Sequence, residues 1–193
     1  MNINMTTIIG KRIKIRSKRL SDAKEDYAWQ TDPELAKLDA AVPLDMTYQR
    51  YLSEYTFELC YPSTHRCEFA VENLSGDHIA NCVYYNINPS ESQAEIGIMI
   101  GNRDYWNLGY GSEIISTLLD YIFNTVKLNR VYLTTLTWNI RAQKCFKKCG
   151  FKENGLVERD HKTFFLMSIR REVWESFRES VTSNTAINSH VKQ

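Results

Sequence analysis

The stretch from Ala94 to Phe123 constrains the fold more than any other, because its apolar residues change period within a dozen positions. Ala94-Glu95-Ile96-Gly97-Ile98-Met99-Ile100 is a short, mostly apolar run and reads as a strand. From Gly109 onward Tyr110, Ile114, Ile115, Leu118, Leu119, Ile122 and Phe123 recur on one face of a helix. A strand that passes through a loop holding Gly109 and Gly111 straight into a helix gathers unpaired N–H groups and the positive end of the macrodipole at one place. That is an anion site that needs no lysine, and the glycines let the backbone approach a phosphate closely. No G-K-[ST] and no G-x-G-x-x-G is present, which excludes the two commoner phosphate loops. G-x-G alone is equally a tight strand-to-helix turn, so the anion reading needs the surrounding chain.

That chain alternates in period from end to end. Arg12-Ile13-Lys14-Ile15-Arg16 reads as a strand. Ser21 and Asp22 offer an N-cap for a helix through about Trp29, and Asp32-Pro33-Glu34 opens another with proline at a position that tolerates it. Thr47 to Leu59 reads as a third helix. Arg66 to Glu72 and His78 to Ile87 read as strands joined through Ser75-Gly76, and Pro89-Ser90-Glu91-Ser92 turns into the Ala94 strand. Val131 to Thr137 is β-branched and strand-like. Asn139 caps a helix that ends near Cys149 and Gly150, and Phe151 to Glu158 and Thr163 to Arg170 are the last two strands. This order predicts an α/β (α+β) fold with a mixed, mostly antiparallel sheet of about six to seven strands and helices on both faces. A single domain is expected over residues 1–180, with 181–193, rich in Ser, Thr and Asn, as a flexible tail.

Charge and cysteine usage narrow the function classes. Lys and Arg number 24 against 23 Asp and Glu, so the basic excess of a nucleic-acid binder is missing. No apolar run reaches membrane-spanning length and the start has no signal-like apolar core, so no membrane partner and a cytoplasmic location are expected. Cys60, Cys67, Cys82, Cys145 and Cys149 are odd in number and form no C-x-x-C, which argues for reduced thiols and against a disulfide framework or a metal site.

The loop context carries a resemblance. Ala94 to Asn102 runs directly into Tyr105-Trp106-Asn107-Leu108-Gly109-Tyr110-Gly111-Ser112-Glu113, and downstream lie Asn139, Ala142, Phe146 and Gly150-Phe151. Together these resemble the GNAT superfamily, within it the branch of ribosomal-protein-alanine and spermidine acetyltransferases, over roughly Arg12 to Trp174. The resemblance implies a sheet splayed at its centre and acetyl-CoA as cosubstrate, with no metal. It implies CoA contacts from Met99, Ile100, Trp106, Asn107, Leu108, Gly109, Tyr110, Gly111, Ser112, Asn139 and Phe146. Trp29 and Asp32 match the branch's early substrate-side helix, and Tyr84 is expected to line the acceptor cleft beside them. The implied reaction is direct transfer of an acetyl group to a primary amine on a protein N-terminus, a polyamine or another small molecule, by a monomer or homodimer.

The proton chemistry stays open at this point. An ammonium must lose a proton before it can attack, and Glu95 on the strand beside the acetyl group is the first candidate base. Equally, Glu95 is a carboxylate that only shapes the site. Many family members carry a tyrosine where this chain has Phe146, which has no proton to give a leaving thiolate. Two readings follow: the thiolate leaves with help from water, or the protein is an acyl-CoA-binding module with weak or no catalysis. Asn107 and Leu108 stand where relatives carry glycine and lysine, which puts one charge contact to CoA in doubt; Arg103, Arg141, Lys144 and Lys147 are the candidates to replace it.

Overall fold

The computed structural model describes residues 6–179, so the expected tail at 181–193 lies outside the described residues. The strands are β1 (Thr7–Ile9), β2 (Ile13–Ser17), β3 (Arg66–Asn73), β4 (His78–Asn88), β5 (Gln93–Met99), β6 (Arg130–Leu136), β7 (Lys152–Arg159) and β8 (Lys162–Arg170). The helices are α1 (Ala23–Thr31), α2 (Pro33–Leu38), α3 (Tyr48–Cys60), α4 (Tyr110–Tyr121), α5 (Ile140–Lys148) and α6 (171–179). The strands form a single eight-stranded sheet in the order β1-β2-β3-β4-β5-β6-β8-β7. All neighbours are antiparallel except β5 and β6, which are parallel and joined through α4. The fold is therefore mixed α/β and mostly antiparallel, as expected, with eight strands rather than six or seven. The additional strand is β1, which pairs Ile8 with Ile15 and is too short to show a period. Helix α6 was also unexpected; it follows β8 directly and buries Trp174, whose indole donates to Asp120.

One face of the sheet is apolar and carries α4. Ile13, Ile15, Ala94 and Val131 are fully buried there against Ile114, Ile115, Leu118, Leu119, Ile122 and Phe123. Each valine, leucine, isoleucine and phenylalanine among them is worth about 1.5–3 kcal/mol of burial, so this layer is the main source of stability. The opposite face is polar and carries α1. Arg16 alternates with Ile13 and Ile15 on β2 and bonds Asp22 at the foot of α1, and Asn81 on β4 donates to Asp26 within α1. Ala23, Tyr51 and Tyr55 pack α1 against α3 in a second, smaller core.

Two local irregularities place the site. The parallel β5–β6 pairing covers only Gln93–Arg130, Ala94–Val131 and Glu95–Tyr132, although β5 continues to Met99 and β6 to Leu136. Beyond Glu95 the two strands diverge and leave a wedge in the sheet. Nearby, the β4–β5 register shifts between Tyr85 and Asn88, with Asn86 in the left-handed region at φ 50°. Farther off, the β7–β8 hairpin turns on Asp160 and His161, both left-handed, as a two-residue turn matched to strand twist requires. Among the described residues no helix is long and apolar enough to cross a membrane.

Candidate active site

The wedge between β5 and β6 opens into a cavity of about 490 Å³. One wall is the end of β5, with Ile98, Met99 and Ile100. A second is the loop and helix start that follow, with Tyr105, Trp106, Asn107, Gly109, Gly111 and Ser112. The third is α5, with Asn139, Ile140, Arg141, Ala142, Lys144, Cys145 and Lys148, and the fourth is the end of α2, with Leu35, Leu38 and Asp39.

The loop is folded onto the strand by its own side chains. Asn102 caps a short turn by accepting from the Asp104 N–H at 3.0 Å. The Trp106 indole then donates to the Ile100 carbonyl at 2.7 Å, and the guanidinium groups of Arg141 and Arg103 lie 3.5 Å and 5.4 Å from the centre of its ring. Asn107 and Gly109 both take positive φ, 59° and 84°, a region that asparagine tolerates and glycine enters freely. Gly109 is the N-cap of α4 and no side chain caps that helix, so the first-turn N–H groups are left for an external anion. The one acidic residue of that turn, Glu113, is taken up by Arg12 through Nε at 2.7 Å. At Gly111 a Cβ would stand 3.1 Å from the Cys145 sulfur and 3.6 Å from Ile100 Cδ1, so α4 and α5 approach as closely as the missing side chain permits.

Opposite, α5 begins at Asn139, whose Oδ1 accepts from the Ala142 N–H at 3.2 Å while its amide donates to the Leu38 carbonyl at 3.4 Å. One residue thus caps α5 and ties it to α2. Arg141, Lys144 and Lys148 add positive charge on this wall; burial and the nearby Arg103 lower the Arg141 pKa, yet a guanidinium remains charged. At the α2 end the balance reverses. Asp39 is the one carboxylate among the residues that line the cavity, and Tyr85 and Arg66 lie near it. Asp39 is exposed at the opening, yet the protein packed around its carboxyl pushes it up to about 6, against the pull of Arg66. The cavity is cationic where α4 and α5 meet and anionic at α2.

Residues 12–152 match the family described as Acetyltransferase (GNAT) domain. The chain belongs to the GNAT acetyltransferase family. It is accordingly an N-acetyltransferase. Among similar proteins, an uncharacterized N-acetyltransferase p20 of Bacillus licheniformis is 26% identical over 159 residues, covering 82% of this chain and 88% of that one. A spermidine N(1)-acetyltransferase of Vibrio cholerae is 32% identical over 91 residues, 47% of this chain and 52% of that one. Among solved structures, Vibrio cholerae spermidine N-acetyltransferase in complex with CoA and spermine superposes with a TM-score of 0.75 at 19% identity, covering 84% and 98% of the two chains. An aminoglycoside acetyltransferase AAC(6')-Ib in complex with coenzyme A gives 0.72 at 18% identity, covering 86% and 99%.

This GNAT chain brings together most of the residues singled out in its sequence, and separates others. Met99, Ile100, Trp106, Asn107, Gly109, Gly111, Ser112 and Asn139 all line the cavity. Leu108 turns its side chain to solvent and its carbonyl accepts from Arg12. Tyr110 packs edge-on to Tyr105 and under Arg12, away from the cavity. Three expectations on the acceptor side need correction. Tyr84 points into the apolar core between Phe69 and Tyr121, because strand alternation gives the polar face to Tyr85 instead. Trp29 lies against Gly101, where a Cβ would meet its ring at 1.9 Å, and packs at a tilt against His78. Asp32 is consumed by capping α2 and by accepting from Arg103 Nη2 on both carboxylate oxygens at 2.9 Å. Glu95, the expected base, is 2% exposed and lies behind the cavity wall, accepting from Asn86 and Thr134.

On α5 the expected and observed residues change places. Phe146 is 6% exposed and packs edge-on against Phe151 in the core. Its neighbour Cys145 lines the cavity beside Ser112. Its pKa is pulled down to about 7 by the neighbouring Cys149 thiol, with Ser112 and Lys148 aiding and burial opposing. A thiol that is half ionised near neutral pH reacts faster than an ordinary cysteine of pKa about 8.5. N-ethylmaleimide is therefore expected to label Cys145 ahead of exposed Cys60 at pH 7, with acetyl-CoA suppressing that labelling; peptide mass mapping over time checks both. Labelling of Cys145 that acetyl-CoA leaves unchanged would show that the donor lies elsewhere.

Proposed function

We propose that this protein moves the acetyl group of acetyl-CoA directly to a primary amine of a small cationic acceptor of the polyamine or aminoglycoside type. The observation that carries the reading is the polarity of the cavity: an uncapped helix N-terminus with Arg141, Lys144 and Lys148 at one end, and the Asp39 carboxylate at the other. The residues fit the donor. First-turn N–H groups of α4 suit a pyrophosphate, Gly111 leaves room for it, and the lysines stand where additional phosphate charge would fall. The N–H groups of Met99 and Ile100, at the strand end, are suited to polarise a thioester carbonyl, a contact worth several kcal/mol when charge develops on that oxygen. The acidic end favours an acceptor with more than one positive charge, as the named activities of the spermidine and aminoglycoside relatives also suggest. A protein N-terminus fits less well, since the relatives named for an acceptor act on polyamine or aminoglycoside amines.

Phe146 still bears on the leaving group. Buried in the core, it neither supplies a proton nor blocks one, and a thiol of pKa about 8.5 is a tolerable leaving group when water protonates it. The test is release of free thiol from acetyl-CoA with spermidine, kanamycin and an N-terminal peptide offered separately. Turnover is expected with the first two and little with the peptide. Acetyl-CoA at a hundred times its Kd should also stabilise the protein by about 2.7 kcal/mol. Stabilisation without turnover on any amine would favour a binding module, and no stabilisation would remove the donor site.

A further inference from the structure

We propose that Asp39 is the group that takes the proton from the incoming ammonium, an assignment that rests on the acetyl-transfer reading above. Asp39 shares the cavity with Ile98, Met99 and Ile100, the strand end proposed to hold the thioester, whereas Glu95 does not line it. The two carboxylates also differ in what occupies them. Glu95 accepts from Asn86 on Oε2 at 3.0 Å and from Thr134 on Oε1 at 3.3 Å, so each of its oxygens already holds a donor. Among the described residues no hydrogen bond to the Asp39 carboxylate is made, so its oxygens are free to receive an ammonium proton.

The backbone under Asp39 is fixed from three sides. Its N–H donates to the Leu35 and Ala36 carbonyls at the end of α2. The Asn139 amide holds the Leu38 carbonyl, and Lys162 Nζ on β8 holds the Ala40 carbonyl at 2.6 Å. Ala40 itself is left-handed at φ 58°, a conformation uncommon for alanine that these ties maintain. The charged and titratable groups facing Asp39 are Arg66 on β3 and Tyr85 on β4, with Glu95 behind Tyr85; Arg141 enters the cavity from α5 but is stacked on Trp106. Desolvation outweighs Arg66 and sets the carboxyl near 6, close to the pH at which a base must both be ionised and hold a proton.

The step balances as follows. The ammonium gives one proton to Asp39, and the freed nitrogen pair forms a C–N bond to the thioester carbonyl carbon. The C–S bond breaks with its electron pair on sulfur, and the second nitrogen-bound proton passes to that thiolate directly or through water. Asp39 returns its proton to solvent, leaving an amide, CoA thiol and one proton.

The experiment is the pH profile of kcat/KM for spermidine between about pH 5 and 9 in the full chain, for wild type, Asp39→Asn, Asp39→Glu and Glu95→Gln. Wild type should lose activity below pH about 6, and Asp39→Asn should fall by about a hundredfold or more and lose that inflection. Asp39→Glu should regain part of the rate, and Glu95→Gln should keep the inflection. The thermal shift given by acetyl-CoA should be the same in Asp39→Asn as in wild type. The assignment is overturned if Asp39→Asn keeps the inflection or stays within about threefold of wild type. It is equally overturned if Asp39→Asn loses the acetyl-CoA shift, which would mark a structural role. A wild-type chain that acetylates no amine removes the transfer reading itself, and the assignment with it.

Discussion

Gly111→Val is expected to abolish acetyl-CoA binding while leaving the fold in place. Gly111 is the second residue of α4 and its φ is not in the left-handed region, so a side chain there strains no backbone. A glycine within a helix is even slightly unfavourable relative to other residues, by about 0.5–1 kcal/mol. What the side chain meets is the cavity: its Cβ falls 3.1 Å from the Cys145 sulfur, and its methyl groups must project from there into the gap between α4 and α5. Crowding of this kind costs about 1–3 kcal/mol, and displacing a charged ligand from its N–H donors costs about 1.5–3 kcal/mol for each bond lost. The crowding falls on the fold, and loss of two such bonds to the ligand corresponds to a loss in affinity of about a hundredfold or more. Calorimetric titration with acetyl-CoA measures it, and thermal unfolding should show a Tm within a few degrees of wild type. Gly109 is a poorer test, since its φ of 84° would strain any replacement and confuse folding with binding. An affinity for acetyl-CoA within about threefold of wild type would rule out the cavity as the donor site.

The parts of this site that were legible in the sequence are those set by neighbours in the chain. The change of period between Ala94 and Phe123, the cap at Asn139 and the stop at Gly150 are local, and the structure places each where spacing put it. What escaped depends on how elements roll and cover one another. Alternation says that Tyr84 and Tyr85 face opposite sides of β4, but which side is core follows from where α4 packs. Helical spacing separates Cys145 from Phe146 by about 100°, but only the approach of α5 to Gly111 turns the cysteine to the cavity. Asp39 sits in a corner after a six-residue helix, with no motif around it, and its ties come from Asn139 and Lys162, far along the chain. Arg16 is the sharpest case. As the polar member of an alternating strand it reads as a solvated residue, yet it is 4% exposed because α1 covers that face.

That cover makes Arg16 the residue whose loss should cost the fold most. Its guanidinium spans Asp22, with two contacts of 2.7 Å, and Glu72 on β3, and both carboxylates are as buried as it is. Arg16→Met keeps much of the volume and removes the charge, leaving Asp22 with the Arg19 N–H and Glu72 with Lys14 and a 3.5 Å contact from Arg19. Breaking a buried pair by removing one partner costs about 3–5 kcal/mol, which in a chain of this size is about 10 °C or more in Tm. The pH dependence follows from the carboxylates. Burial pushes Asp22 and Glu72 up, but the hydrogen bonds and charge of Arg16, with the Arg19 N–H on Asp22 and Lys14 on Glu72, outweigh it and hold both below the usual range. Groups lowered on folding stabilise the protein fully above their unfolded values, and that contribution disappears as pH falls through the folded ones. Wild type should therefore lose stability on acidification below the ordinary carboxylate range. The variant, relieved when its uncompensated carboxylates take up protons, should lose less. The gap in Tm between the two is expected to narrow steadily as the pH is lowered from neutral through that range, and adding Asp22→Asn to the variant should recover part of the loss at neutral pH. A gap that stays constant, or a variant within about 1 kcal/mol of wild type at neutral pH, would mean that Lys14 and Arg19 compensate the carboxylates without Arg16.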